Sequence, residues 1–598
     1  MRESVSPSLA TVDPTLAVPG LLARRLAQDP HATLVERKSA LGSAWTPVSV
    51  RSFADQVTAV ARGLVALGVE PGDRVSIMSR TRYEWTLLDF AVWAAGGVPV
   101  PVYETSSAEQ VAWILSDADV RLAVVETSAH AAVTESVRDR APGLGEVLVL
   151  DDGAVDRLTA AGAAVDPAEV ERRSAATVGS DLATLIYTSG TTGRPKGVEL
   201  THGNFVALSL EGVAGLYDVC AAPGSRTLLF LPLAHVFARF IEVLCVASGA
   251  VLGHTPDTKN LVADLGTFRP TFLLAVPRVL ERVYNAAEQK AGTGVRLRLF
   301  RWAAKTSIVW SRALDLPGGP SAALRAQHRL ADRLVLSKVR HTLGGAVRYA
   351  VSGGAPLGER LGHFYRGLGL TVLEGYGLTE TTAPTAVNRP GSVRIGTVGH
   401  PFPGTAVRLS ADGEVQVRGP HVFRGYHRNP AATAEAFDDG WFRTGDLGEL
   451  DDAGTLRITG RKKEIIVTAG GKNVAPAALE DRLRGHPLVS QVVVVGDARP
   501  YVGALVTLDA EMLPGWLAGH GLPEMDVATA ARRPEVLAAL DRAAERASEV
   551  VSRAESIRRV RVLAVDFTEA NGYLTPSLKV RRSAVLDDFA GEVDALYA

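Results

Sequence analysis

The sequence predicts an α/β fold with a further α+β unit toward its C-terminal end, on three observations. Helix-like segments alternate with short β-branched runs from about Ser52 to Val251, the pattern of βαβ units around a mostly parallel sheet. Strand patterns separated by turn residues follow between Val407 and Thr459 and read as a small antiparallel subdomain. After Gly460 the chain passes through a charged link, Arg461-Lys462-Lys463-Glu464, into a mixed stretch of different character. At 598 residues the chain exceeds what one hydrophobic core supports, so several domains are expected.

Taken in order, apolar spacing predicts a helix over Phe53–Leu67, a strand over Arg74–Met78, a helix over Trp85–Ala95 and a strand over Val98–Val102. Leu122–Val125, Glu146–Leu150 and Leu182–Thr188 continue the same parallel pattern. From Arg278 to His341 the text is helical and basic, with Arg296, Arg298, Arg301, Lys305, Arg312, Arg325, Arg329 and Arg333 interleaved with apolar residues. Two readings stand here: solvated faces of amphipathic helices, or a surface bearing Trp302 and Trp310 that meets anionic lipid. Strands resume at Val347–Val351, Val407–Leu409, Glu414–Val417 and Thr455–Thr459, with turns at Asp412-Gly413 and Gly454. Beyond the link come a strand at Val492–Val495 and an Ala-rich helix near Leu537–Val551. The expected domains are 1–460, with a helical insertion about 280–345, and 461–598.

Composition excludes some classes. A net charge of −1 gives no global attraction to nucleic acid, so no nucleic-acid partner is expected. Cys220 and Cys245 lack metal-ligand spacing and are expected as buried free thiols in a reducing compartment. The N-terminal residues lack an apolar leader segment, and neither long apolar run reaches about 18 uncharged residues, so a cytoplasmic protein is expected, with peripheral contact at the inner membrane face as the alternative. An oligomer is compatible with the sequence.

Six motifs carry chemistry. Tyr187-Thr188-Ser189-Gly190-Thr191-Thr192-Gly193-Arg194-Pro195-Lys196-Gly197 follows a buried strand and puts hydroxyls, glycine backbone and one lysine in a single loop, a set suited to a polyphosphate. It is no Walker A loop, because Pro195 precedes Lys196 and Gly197 follows it. Downstream come Ser352-Gly353-Gly354-Ala355-Pro356, Glu374-Gly375-Tyr376-Gly377-Leu378-Thr379-Glu380, Trp441-Phe442-Arg443-Thr444-Gly445-Asp446, Gly460-Arg461-Lys462-Lys463-Glu464 and Gly572-Tyr573-Leu574-Thr575-Pro576-Ser577-Leu578-Lys579.

In this order the six resemble the signature motifs of the adenylate-forming superfamily, whose members include acyl-CoA ligases, luciferases and adenylation domains. The resemblance implies a large N-terminal domain of two α/β subdomains plus a small β-barrel-like subdomain, hinged to a mobile C-terminal domain. It implies ATP binding by Thr188, Ser189, Gly190, Thr191, Thr192, Gly193, Lys196, Gly353, Gly354, Ala355, Tyr376, Gly377, Thr379, Asp446, Arg461 and Lys579. Tyr376 offers a flat face to adenine, and Asp446 accepts from the ribose hydroxyls with Arg461 beside it. Thr188 and Glu380 resemble the Mg²⁺ pair, a hard oxygen site. Lys579 matches the catalytic lysine, placed to stabilise charge built on the α-phosphate in the transition state. Lys463 matches the hinge. Rotation there would exchange Lys579 for Thr468-Ala469-Gly470-Gly471-Lys472 on the CoA side.

Leu231-Pro232-Leu233-Ala234-His235-Val236-Phe237-Ala238-Arg239 resembles the acyl-side motif, with His235 at the carboxylate and Phe237 and Phe240 at the acyl wall or gate. The long insertion, the Lys-Lys hinge and the Leu-Thr-Pro-Ser-Leu-Lys ending resemble long-chain acyl-CoA synthetases in particular. The implied reaction is ATP-dependent conversion of a long-chain fatty acid to acyl-AMP and then to its CoA thioester, with Mg²⁺ as cofactor and ATP and CoA as co-substrates. An acyl-AMP ligase loading a carrier protein, and a CoA ligase for another apolar or aromatic acid, remain alternatives.

Overall fold

A computed structural model of the chain describes residues 2–38, 44–188, 194–292, 294–549, 551–575 and 578–598. The first sheet runs Val98–Val102, Arg74–Met78, Val120–Val125 and Val147–Val149, all parallel. These Val- and Ile-rich runs are buried on both faces, as helix-covered parallel strands must be. Val98–Val102 tolerates Pro99 and Pro101 because it is the edge strand, where no ladder donor is missed. The Val50–Ala66 helix starts at Ser49, whose side chain accepts from Ser52 N, and buries Phe53, Val57, Val60, Ala61 and Leu64 at helical spacing.

A second sheet joins Arg226–Leu229, Val251–His254 and Thr33–Lys38 in parallel, with Trp45–Ser49 antiparallel at its edge. A third places Phe272–Ala275, Tyr349–Ser352 and Thr371–Tyr376 in parallel. Most expected strands therefore stand within a few residues of their predicted bounds. Leu182–Thr188 keeps its predicted bounds but not the expected parallel pairing: it pairs antiparallel with Lys196–Thr201 in a separate three-stranded sheet completed by Gly425–Tyr426. Residues 189–195 are too few for a parallel crossover, which takes a dozen or more, so the chain turns back on itself.

The antiparallel subdomain is present as Ala406–Leu409, Glu414–Arg418, Trp441–Leu450 and Leu456–Arg461. Glu3–Val5 adds to it against Ala406–Leu409, a pairing that no local pattern announces. The basic segment forms the helices Pro277–Lys290, Gly294–Ala313 and Ala322–Ala331, then a π-helical stretch over Asp332–Leu336. Its tryptophans are half-buried, Trp310 stacking on His328 at 4.2 Å between ring centroids. Among the described residues no helix is long and apolar enough to cross a membrane. The small C-terminal domain has its own core around Val489–Val495, Val502–Leu508 and Ile557–Leu563, covered by the helices Pro476–Arg484 and Pro534–Ser548.

Candidate active site

The C-terminal ends of the parallel strands and the loops of the small domain meet in one cleft. Tyr376 ends the Thr371–Tyr376 strand, and its hydroxyl donates to Asp446 Oδ2 at 2.7 Å. Asp446 and Arg461 are register partners across neighbouring strands, so Arg461 Nε donates to Asp446 Oδ1 at 2.9 Å. Burial opposes the Arg461 charge, but Asp446 and Glu464 outweigh it and raise its pKa. The three side chains form a fixed polar wall with both carboxylate oxygens engaged.

Glu380 lies in the short turn Thr379–Thr381, and burial raises its pKa against the opposing influence of Tyr426 and Arg461. Tyr426 donates to Glu380 Oε1 at 3.0 Å, while Lys196 Nζ stands 4.8 Å from the centre of the Tyr426 ring. Thr188 and Lys196 are register partners at the mouth of their hairpin. Thr188, Lys196, Tyr426 and Glu380 thus gather at one end of the cleft, though Ser189, Gly190, Thr191, Thr192 and Gly193 lie outside the described residues. Tyr426 was not picked out from the sequence. Its only local signal is an aromatic after Gly425, and its role depends on a strand pairing more than 200 residues long-range.

Gly353, Gly354 and Ala355 form the turn after Tyr349–Ser352, with Gly354 at φ +85°. A Cβ on Gly377 would lie 1.4 Å from the carbonyl oxygen of Ala383, so only glycine lets these two backbone segments approach. Lys579 closes a tight loop in which Thr575 N donates to Lys579 O at 2.8 Å and Lys579 N donates to Thr575 Oγ1 at 3.1 Å. Leu578 takes φ +61° to make that turn. Lys579 is an exposed residue, while its ammonium end is surrounded by protein near Arg461, Asp446, Glu380 and Glu464, as for a group lining an open cleft. Burial and Arg461 depress its pKa, partly offset by Asp446, Glu380 and Glu464.

His235 caps the Val236–Ser248 helix, its Nδ1 accepting from Phe237 N at 3.1 Å. Burial, helped by Lys579, lowers its pKa to about 3, so the ring is neutral and Nε2–H is left to donate. Phe237 leans on Gly353, where a Cβ would come 3.3 Å from its ring. Behind Phe237 lies a narrow cavity of about 20 Å³ with an entirely apolar lining that includes Phe240, Val219, Leu244, Val351 and Phe402. Lys463 is exposed. Gly470 and Gly471 are exposed as well, and Lys472 pairs with Glu555 at 3.5 Å inside the C-terminal domain, so this loop is engaged apart from the Lys579 side.

Among the described residues no group of three or more His, Cys, Asp and Glu side chains could hold a metal alone. One carboxylate, Glu380, near Lys196 and Tyr426 suits a cation that retains water and is bound largely through substrate phosphates, which is how Mg²⁺ binds.

Residues 22–427 match the family model described as AMP-binding enzyme, and residues 463–598 match that of the AMP-binding enzyme C-terminal domain. The chain is 51% identical to the long-chain-fatty-acid–CoA ligase FadD15 of Mycobacterium bovis, with all of both chains covered. It is 32% identical to human long-chain-fatty-acid–CoA ligase 1, covering 92% of this chain and 82% of that one. The crystal structure of the anthranilate CoA ligase AuaEII with anthranoyl-AMP superposes with a TM-score of 0.74 at 19% identity, over 98% of this chain and 99% of that one.

Proposed function

The chain belongs to the AMP-binding enzyme family, and from that premise we propose that it is a long-chain fatty acid–CoA ligase working through an acyl-adenylate. The observation that carries this reading is the Lys579 ammonium in one cleft with the Asp446–Arg461 pair and Glu380. The fatty carboxylate attacks the α-phosphorus of ATP, the bond to pyrophosphate breaks, and acyl-AMP forms. The thiol of CoA then attacks the acyl carbonyl and AMP leaves.

Tyr376, Asp446 and Arg461 hold the adenosine end, and Lys196 meets the distal phosphates. Glu380 with Thr188 would hold Mg²⁺, whose chemistry is to neutralise phosphate charge. Lys579 donates to the oxygens on which charge develops. Neutral His235 offers Nε2–H toward the carboxylate end of the acid, and Phe237 gates the apolar cavity, which must widen to take an alkyl chain. The hinge sits at Lys463, between domains 1–460 and 461–598, where Lys462 pairs with Asp412 at 2.6 Å and Glu414 at 3.2 Å. Gly470, Gly471 and Lys472 serve the CoA side after rotation.

Pyrophosphate release across fatty acids of graded length, with and without CoA, tests the reading. The expected result is release that rises with apolar chain length and turns over only with CoA. Turnover indifferent to CoA would instead favour loading of a carrier protein. Lys579→Ala should cut adenylation by about 10²–10³-fold while thioester formation from supplied acyl-AMP survives.

Peripheral lipid contact forms a second reading, favoured by exposed Val295 at 78% and Leu316 at 63% among the basic helices. Flotation with anionic vesicles at low salt checks it, and absence of binding refutes it.

A further inference from the structure

The Pro277–Lys290 helix has two faces. Pro277, Leu280, Tyr284 and Glu288 are buried on the large domain. The adjoining face, with Arg278, Glu281 and Gln289 aligned at helical spacing, turns to the small domain. Arg278 Nη2 donates to Ser490 Oγ at 3.1 Å and lies 3.6 Å from Asp509 Oδ2, while Nη1 donates to Glu281. Three turns on, Gln289 Nε2 donates to the carbonyl oxygen of Glu511 at 2.8 Å.

The first contact does not stop at the surface. Ser490 Oγ donates to Asp566 Oδ2 at 2.8 Å, and Thr507 Oγ1 donates to Asp566 Oδ1 at 2.6 Å. Asp566 opens the loop that carries Lys579, and its carbonyl accepts from Asn571 Nδ2 at 2.8 Å. Asn571 in turn holds Thr568 through a backbone donor at 2.9 Å, and Leu574 N donates to Thr568 O at 3.0 Å. A hydrogen-bonded chain therefore runs from one arginine of the large domain to the base of the lysine loop.

We infer that Arg278, relayed by Ser490 and Asp566, is a positioning residue that latches the small domain with Lys579 in the nucleotide cleft, and that it serves acyl-adenylate formation but not thioester formation. The inference rests on the proposed two-step reading with a rotating small domain. Rotation about Lys463 would carry Ser490, Asp509 and Glu511 off the helix, so the latch acts in one half-reaction only.

The test measures both half-reactions separately: ATP–pyrophosphate exchange with palmitate, and palmitoyl-CoA formation from supplied palmitoyl-AMP and CoA. Arg278→Ala should lower exchange about tenfold, the equivalent of about 1.4 kcal/mol, while thioester formation stays within about twofold. That preserved second activity also shows that the variant is folded. Gln289→Ala, at the far end of the face, should act in the same direction. Ser490→Ala should match Arg278→Ala, and the double variant should be no worse than either, because both break one chain. Equal loss in both half-reactions, additive losses, or unchanged exchange would overturn the latch. Lys579→Ala run in parallel separates the two ideas: if it cuts exchange sharply while Arg278→Ala leaves exchange unchanged, only the latch fails, whereas intact exchange in Lys579→Ala removes the reading beneath it.

Discussion

Arg239 is the largest charge in the core, completely buried, and its guanidinium grips Asp89 through Nε at 2.8 Å and Nη2 at 2.9 Å while Nη1 donates to Thr184 Oγ1 at 2.7 Å. Those contacts tie the helix that bears His235 and Phe237 to the strand that leads into the polyphosphate loop. Glu242, one turn farther, is held well above the usual carboxylate range by burial and then by the Asp89 charge, which favours its neutral form. Glu242→Gln should therefore leave stability nearly unchanged in urea denaturation. Arg239→Ala, which strands the Asp89 charge in the core, should cost about 3–5 kcal/mol in the same measurement. Lys579 predicts a pH effect as well. Its depressed pKa means that charge is lost as pH rises, earlier than for an ordinary lysine. Adenylation should show an alkaline fall that is absent from the residual rate of Lys579→Arg, whose guanidinium stays charged.

At the scale of elements, the wall of Tyr376, Asp446 and Arg461 proposed for the nucleotide depends on how closely two backbone segments approach. Gly377 faces the Ala383 carbonyl at a distance no side chain can share, and Thr382 and Ala383 both take positive φ, at +54° and +98°, to make the return turn. Gly377→Ala should displace Tyr376 and Glu380 together, raising the KM for ATP and lowering the melting temperature, by overpacking worth about 1–3 kcal/mol. The Val236–Ser248 helix behaves differently, because the residues proposed to face the acid, His235 and Phe237, sit at its N-terminal cap. His235 holds Phe237 N by Nδ1, and protonation would remove that acceptor, but with a pKa of about 3 the cap stays intact throughout the range of ordinary assays. An unfolded histidine titrates near 6.5, so stability gained from keeping this ring neutral grows as pH rises from about 3 to 6.5 and is constant above it.

For the whole molecule the decisive quantity is how the two domains dock. Burial raises the Glu374 carboxyl to about 8 and that of Asp481 to about 7, and Glu374 also feels Asp481 across the domain interface. Arg484 moderates Asp481, whereas Glu480 and Glu281 reinforce its shift, and Glu359 reinforces that of Glu374. Raised carboxyl pKa values favour the docked arrangement fully below about 4, and that advantage is lost progressively as pH climbs to about 7 to 8, with no further loss above. Pyrophosphate exchange should accordingly decline relative to thioester formation between pH 5 and about 8 and level off above that. Asp481→Asn should flatten that decline, as the ratio of the two half-reaction rates would show.

Much of the fold and the cleft was legible in the chain itself. The runs Arg74–Met78 and Val98–Val102 read as strands because β-branched residues buried on both faces leave few other conformations. Tyr376 with Glu380, and Asp446 within its own strand, read as site residues because each motif keeps its chemistry within a few positions. The antiparallel turn of Leu182–Thr188, the pairing of Glu3–Val5, the hold of Tyr426 on Glu380 and the chain from Arg278 to the lysine loop were decided only by tertiary structure. Local patterns report which residues avoid water and how the backbone turns, since both depend on near neighbours. Contacts between distant polar groups replace bonds those groups would otherwise make to water, so only the three-dimensional arrangement of the chain selects one partner over another.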